Sequence, residues 1–294
     1  MAGGNIPGWI VVGVGLPTPA ERCRQWATAA ARRLGACARG ERPACPHATP
    51  MRNLSHAERC FQDIPGTFHG PHVYTAAVSM FSQQDLAKGR ALFLELGAYM
   101  GQSTCFMARL IKRRRAPIEL HVIDFWAPLL ENDAGASTSF AWIPSNHRAS
   151  ALAAGKGEMS MAWAHNMITS GSWDTISRVV HGSDTDMNIV SRYSDDSVSF
   201  IYLDTSHGYW QTKRELQLWW PKLKASGSLL CGDDYDAAKR DTPRSYAAAL
   251  HAFFEEHGAR LFDWGGNQFC VAKGNIDARP TGSHAPRLRA QQRR

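Results

Sequence analysis

Leu92–Thr104 reads Leu-Phe-Leu-Glu-Leu-Gly-Ala-Tyr-Met-Gly-Gln-Ser-Thr, an apolar strand that ends in an acid and breaks into Gly-x-x-x-Gly before a helix. Gly97 and Gly101 can take backbone angles closed to other residues, and the helix that follows points its first N–H groups at whatever lies over the turn. This is the layout of a cofactor loop, and the spacing narrows the cofactor. A pyrophosphate needs Gly-x-Gly-x-x-Gly, whereas the position two after Gly97 is Tyr99, so the dinucleotide fingerprint lacks its phosphate-hugging glycine. A tight strand-to-helix turn without a ligand would read the same in isolation; Glu95 and the segments downstream weigh against that.

Downstream comes a second short strand, Ile118–Ile123, closed by Asp124. An acid at the tip of the second strand of a doubly wound sheet can accept hydrogen bonds from both hydroxyls of a ribose diol. Nicotinamide cofactors and S-adenosylmethionine both carry that diol. Taken together, Glu95, Gly97, Gly101 and Ser103 resemble the first motif of the class I S-adenosylmethionine-dependent methyltransferases. Val198–Tyr235 strengthens the likeness, and resembles the small-molecule branch that includes the catechol-like and macrolide-sugar O-methyltransferases. The resemblance spans Thr67–Lys273, about 70% of the chain. It implies an α/β fold with a Rossmann-like, doubly wound, seven-stranded sheet, an antiparallel last strand and helices on both faces. It also implies donor contacts at Glu95, Gly97, Ala98, Gly101, Ser103, Asp124 and Asp204, and adenine contacts at Ser183 and Asp184. The last two residues also suit the N-cap of the next helix.

The chemistry of the acceptor side is written in acids. Phe200–Leu203 and Ser228–Cys231 read as neighbouring strands that deliver Asp204 and the pair Asp233-Asp234 to one cleft. Three carboxylates at one point would repel one another, and a hard divalent cation held by their oxygens would relieve that repulsion. Magnesium fits best, placed to activate a substrate hydroxyl beside the methyl donor. The resemblance implies the same, because metal-dependent O-methyltransferases place acids at these strand ends. The alternative is that Asp233-Asp234 only caps a turn. His207, three residues after Asp204, is the candidate general base, and Asp204 shares the catalytic assignment. The chain has Asp-Asp-Tyr where a His-Asp-Tyr type of ending is common in the broader family, which favours the metal and leaves the base less defined. Amine methylation in related folds uses (Asp/Asn)-Pro-Pro-Tyr after the fourth strand, and here that place reads Asp204-Thr205-Ser206-His207, so oxygen is the expected acceptor.

Composition bounds the rest. The 294 residues, 44% hydrophobic, suffice for one large core. Of the net charge of +7, Met1–Asn53 carries +5 and Asn275–Arg294 carries +4, which leaves Leu54–Gly274 at −2. The expected organisation is therefore a basic, disordered or targeting extension over 1–53, a methyltransferase domain over 54–274 and a basic disordered tail over 275–294. Basicity confined to flanks argues against nucleic acid as the partner. The cluster Lys112-Arg113-Arg114-Arg115 closes a helix, where cations complement the helix dipole. The partner expected is a small-molecule hydroxyl acceptor, with no membrane involved and oligomerisation left open. Trp9–Leu16 is apolar yet too short to cross a bilayer, and the Ala- and Arg-rich stretch after it would also suit an organelle-targeting peptide in an otherwise cytoplasmic protein. Seven cysteines without a Cys-x-x-Cys pair suggest reduced thiols, with Cys105, Cys231 and Cys270 as small buried hydrophobes. Cys45, His47, His56 and Cys60 do not have the spacing of a zinc finger. The long region Phe125–Ser160 reads as a loop beside the site, with Trp126, Trp142, His147 and Trp163 as candidate substrate walls, although each alone is more often a packing residue than a recognition one. Two competing functions remain: a non-catalytic scaffold of the same fold, and a nicotinamide-dependent oxidoreductase, which the missing glycine disfavours.

Overall fold

The computed structural model describes residues 9–11, 61–66, 68–82, 89–126 and 158–274. Apart from Trp9–Val11, the flanks read as extension and tail lie outside the described residues, as do the Cys45, His47, His56 and Cys60 group, Trp142 and His147. The strands are β1 (Trp9–Val11), β2 (Ala91–Leu96), β3 (Ile118–Asp124), β4 (Ile176–His181), β5 (Phe200–Leu203), β6 (Ser228–Gly232), β7 (Leu261–Gly265) and β8 (Gln268–Lys273). They form one sheet in the order β1-β4-β3-β2-β5-β6-β8-β7. All pairings from β1 to β6 are parallel, and β8 inserts antiparallel between β6 and β7. Strands β2 to β8 are the seven expected, with the antiparallel last strand in place. The three-residue strand β1 adds an eighth at the edge of β4, so part of the segment read as an extension pairs with the sheet.

Strands β2, β3, β5 and β6 are nearly continuous apolar runs because both faces of the sheet are covered. Side-chain alternation sorts them into two cores. Phe93, Leu120, Val122, Phe200 and Tyr202 face one, packed under α1 (Pro71–Ser82), α2 (Gln102–Arg114) and α3 (Met159–Thr169). Leu94, Leu96, Ile123, Val180, Ile201 and Leu203 face the other, covered by α4 (Met187–Val190), α5 (Tyr209–Trp219) and α6 (Tyr246–Glu256). Trp219 and Trp220 pack there, as their place on an amphipathic helix predicts.

Two sequence expectations are corrected. Cys231 and Cys270, opposite one another in the β6–β8 ladder, form a disulfide rather than standing as free thiols. Cys105 is also disulfide-bonded. Register brings about the first pairing: an antiparallel neighbour 39 residues away in sequence leaves no local spacing signal. Trp126 and Trp163 are core residues, not substrate walls. They are 4% and 0% exposed, their rings pack 5.1 Å apart, and each indole N–H donates inward, Trp126 to the Tyr99 carbonyl and Trp163 to the Thr104 hydroxyl.

The tightest point of the sheet lies where strand order reverses. Gly97 takes φ +84°, and a Cβ there would stand 1.8 Å from the backbone oxygen of Asp204. Gly97→Ala is therefore expected to cost roughly 3 kcal/mol or more of stability, read as a lower urea midpoint with an unchanged slope.

Candidate functional site

The carboxyl ends of β2, β3, β5 and β6 carry Glu95, Asp124, Asp204 and Asp233-Asp234 to one edge of the sheet. The crevice between β2 and β5, where the order reverses, is the place at which doubly wound sheets hold ligands.

The glycine loop is locked from both sides. Glu95 is fully buried; one carboxylate oxygen accepts from the Ser103 hydroxyl and the other from the Thr104 hydroxyl at 2.6 Å. Burial pushes the Glu95 carboxyl up to about 7 against those hydrogen bonds. Glu95 and Ser103 thus tie the strand end to the first turn of α2, which gives both a part in holding the loop. Asp124 accepts three backbone N–H groups, from Ala98 (2.6 Å) and Tyr99 (2.9 Å) on one oxygen and from Trp126 (2.6 Å) on the other. Burial raises its carboxyl, and those N–H bonds oppose the rise. Gly101, at φ +95°, caps α2 and faces Met167 and Trp163, where a Cβ would lie 2.5 and 2.9 Å from side-chain atoms. Both glycines therefore admit protein neighbours at close range, and any ligand meets the outer surface of the loop.

On the next loop, Ser183 bonds the Thr185 hydroxyl at 2.8 Å, while Asp186, not Ser183 or Asp184, caps α4 by accepting from the Asn188 N–H at 2.8 Å. Asp184 turns inward toward Glu215 on α5, 8% exposed. Phe125, 61% exposed, follows Asp124, and Met187, 52% exposed, opens α4.

The acids of β5 and β6 meet at Asp234, which adopts φ +56°. Its carboxylate stands in two potential ligand groups: with Asp204 and His207, and with Asp233 and His69, the donor atoms of each group lying within 4.8 Å of one another. The expected trio Asp204, Asp233 and Asp234 is thus divided, and each half gains an imidazole. His207 Nε2 lies 3.4 Å from Asp234, and its ring stands edge-on to Tyr246 at 4.9 Å. His69 Nδ1 lies 3.6 Å from the buried carboxylate of Asp233, and the bond to Asp233 raises the imidazole above its usual range. Sequence reading missed His69: it belongs to the segment before α1, far along the chain from Asp233 and Asp234, and nothing local marked it. Burial first, then Asp233 and Asp234, holds the Asp204 carboxyl well above the usual carboxylate range. Beside this group opens a cavity of about 470 Å³ bounded by His207, Asp234, Asp236, Lys239, Tyr246 and Asn267.

Residues 94–235 match a family described as a methyltransferase domain, and this stretch holds the glycine loop, Asp124, Asp204, His207 and the Asp233-Asp234 pair. This stretch, a little under half of the chain, is similar to that methyltransferase family. The domain's overall shape is similar to the O-methyltransferase NovP (12% identity, TM-score 0.48, covering 86% of this chain and 100% of that one). It is also similar to the calicheamicin methyltransferase CalS11 (14%, 0.44, 89% and 95%) and to an O-methyltransferase family protein from Burkholderia thailandensis (11%, 0.41, 88% and 71%). No curated protein sequence matches the chain.

The methyltransferase domain thus gathers acids whose carboxyls are all shifted upward: Glu95, Asp124, Asp184, Asp204 and Glu215. Such groups keep protons in the fold that the unfolded chain releases above about pH 4, so stability falls as pH rises. His121 and His251, pushed down by burial, act in the opposite sense only near and below the ordinary histidine value of 6.5. In metal-free buffer the thermal midpoint is expected to be lower at pH 8.5 than at pH 6.5, by several degrees in differential scanning calorimetry.

Proposed function

We propose that this methyltransferase domain takes its methyl group from S-adenosylmethionine and transfers it, with the help of a divalent cation such as magnesium, to a hydroxyl oxygen of a small molecule. The observation that carries the reading is the convergence of Asp204 and Asp234 beside a polar cavity, with the Asp204 carboxyl desolvated among like charges. A donor set of two carboxylates with a third acid and two imidazoles nearby suits a hard cation. Asp204 and Asp234 would hold the ion, with Asp233 completing the set from the His69 side. When bound it would supply the positive charge that lowers the pKa of an acceptor hydroxyl.

The chain's own residues do the rest. The donor would lie over the Gly97–Gly101 turn, its ribose near Asp124, which has one oxygen that accepts only a single N–H and keeps a lone pair for a hydroxyl. Its adenine would approach the turn at Ser183 and Asp184. The acceptor would enter the cavity between His207 and Asn267. A hard ion prefers the oxygens of Asp204 and Asp234, and that leaves the neighbouring imidazole of His207 to receive the hydroxyl proton.

The test is binding calorimetry with S-adenosylmethionine, its demethylated product and NAD, each with and without magnesium, followed by transfer of labelled methyl to a panel of phenols and sugars. Binding of the sulfonium donor and not NAD is expected; NAD binding alone would overturn the reading. Asp204→Asn is expected to lower transfer roughly 100-fold while leaving donor affinity within about threefold, and a chelator should reproduce that pattern. His207→Ala should lower turnover by a similar factor without raising the magnesium requirement, and full activity would move the base to another residue, with His69→Ala as the next variant.

A further inference from the structure

We propose that Glu215 is a positioning residue of the donor site: its carboxyl shares one proton with Asp184 and thereby clamps the turn after β4 onto α5. The inference rests on the reading that this turn meets the donor. Asp184 and Glu215 are 8% and 1% exposed and lie within hydrogen-bond reach of each other. The Asp184 Oδ2 and Glu215 Oε2 atoms are buried and without a hydrogen-bond partner at standard geometry among the described residues, while the Asp184 and Thr185 N–H groups and the Thr205 hydroxyl lie close to the pair. Two carboxyl groups within hydrogen-bond reach of each other are satisfied together when one of them carries a proton.

From α5 itself, Gln211 donates to the second oxygen of Glu215 at 3.2 Å. The loop after β5 contributes Thr205, α6 contributes the buried phenol of Tyr246, and the end of β3 contributes Asp124 on the Asp184 side. None of these is a cation, so two charges here would be unpaired and repelling. Burial, and then Asp184, pushes the Glu215 carboxyl up to about 9. The pair therefore holds its proton at neutral pH and loses it in alkali.

Position gives the proton a consequence for ligand binding. The indole N–H of Trp219 donates to the backbone oxygen of Asp184 at 2.8 Å. Glu215 and Trp219 are one helical turn apart, so α5 grips Asp184 at both its side chain and its carbonyl. The same helix begins at Tyr209, two residues beyond His207. Through Glu215, the turn that carries Ser183 and Asp184 is thus fixed relative to the segment that carries Asp204 and His207. Ionisation of the pair would set two like charges against each other at this joint and release the turn.

The experiment is calorimetric titration of the full chain with S-adenosylhomocysteine from pH 6.5 to 10, at fixed magnesium, for the wild type, Glu215→Gln and Glu215→Ala. The wild type should bind with constant affinity to about pH 8 and then lose affinity, approaching tenfold per pH unit above about pH 9. Glu215→Gln, whose amide donates permanently to Asp184, should bind within about threefold of wild type at pH 7 and lose less in alkali; the ligand's own amine titrates alike in both proteins and cancels in the comparison. Glu215→Ala should bind about tenfold or more weakly at pH 7 while circular dichroism reports a folded chain. An alkaline loss of the same size in Glu215→Gln, or wild-type affinity in Glu215→Ala, would overturn this inference alone. Absence of binding by the wild type at every pH would overturn the donor reading as well.

Discussion

Everything at the working edge depends on how closely two strand ends can approach. Where β2 and β5 lie side by side, the backbone after one touches the backbone after the other, and the absence of a side chain at Gly97 is what allows it. The Asp204 N–H donates to the Leu96 carbonyl at 2.8 Å and the Gly97 N–H to the Ile123 carbonyl at 2.9 Å, so three strand ends are stitched at successive residues. A methyl group at position 97 would push β5 away and carry Asp204 with it. The fold and the placement of the acids are therefore one constraint.

That approach sets the electrostatics. Parallel strands that end together bring their terminal acids together, and covering both faces of the sheet removes the water that would screen them. The protein answers in three ways. Glu95 is met by two hydroxyls and Asp124 by three backbone N–H groups. Asp184 and Glu215 are left to each other. Asp204, Asp233 and Asp234 have imidazoles close by and a cavity in front of them. Only the last group borders open space, through the exposed side chain of Asp234.

The sequence made the frame readable and the partners unreadable, for reasons that differ element by element. β2, β3, β5 and β6 stand near their expected limits because buried parallel strands are apolar runs closed by turn residues. The Gly97–Gly101 loop and the acids at 124, 204, 233 and 234 were legible because each sits at the end of such a run. Contacts across space were not. His69 reaches Asp233 from 164 positions away, Glu215 reaches Asp184 from the middle of an ordinary amphipathic helix, and Cys270 meets Cys231 only through strand register. Trp126 and Trp163 are wall candidates in the sequence because they border a long loop, and the packing alternative is the one realised: their rings fill the space behind the glycine turn. The glycines show the same thing in reverse: sequence marks where a side chain is forbidden and is silent on whether a ligand or another part of the chain forbids it.

The two ends of the sheet differ in sign. α2 runs back from the acid-bearing edge and finishes in Lys112, Arg113, Arg114 and Arg115, all exposed, with exposed Arg90 at the start of β2 on the same side. Among the described residues, acids thus gather at the crevice and cations at the opposite rim. A sulfonium compound carries one positive charge more than the thioether it becomes after losing its methyl group. If the donor is the sulfonium compound proposed above, that single charge is what an acid-rich edge would distinguish between two otherwise almost identical molecules. A field of this kind would bias turnover toward product release without a single contact dedicated to telling the two apart.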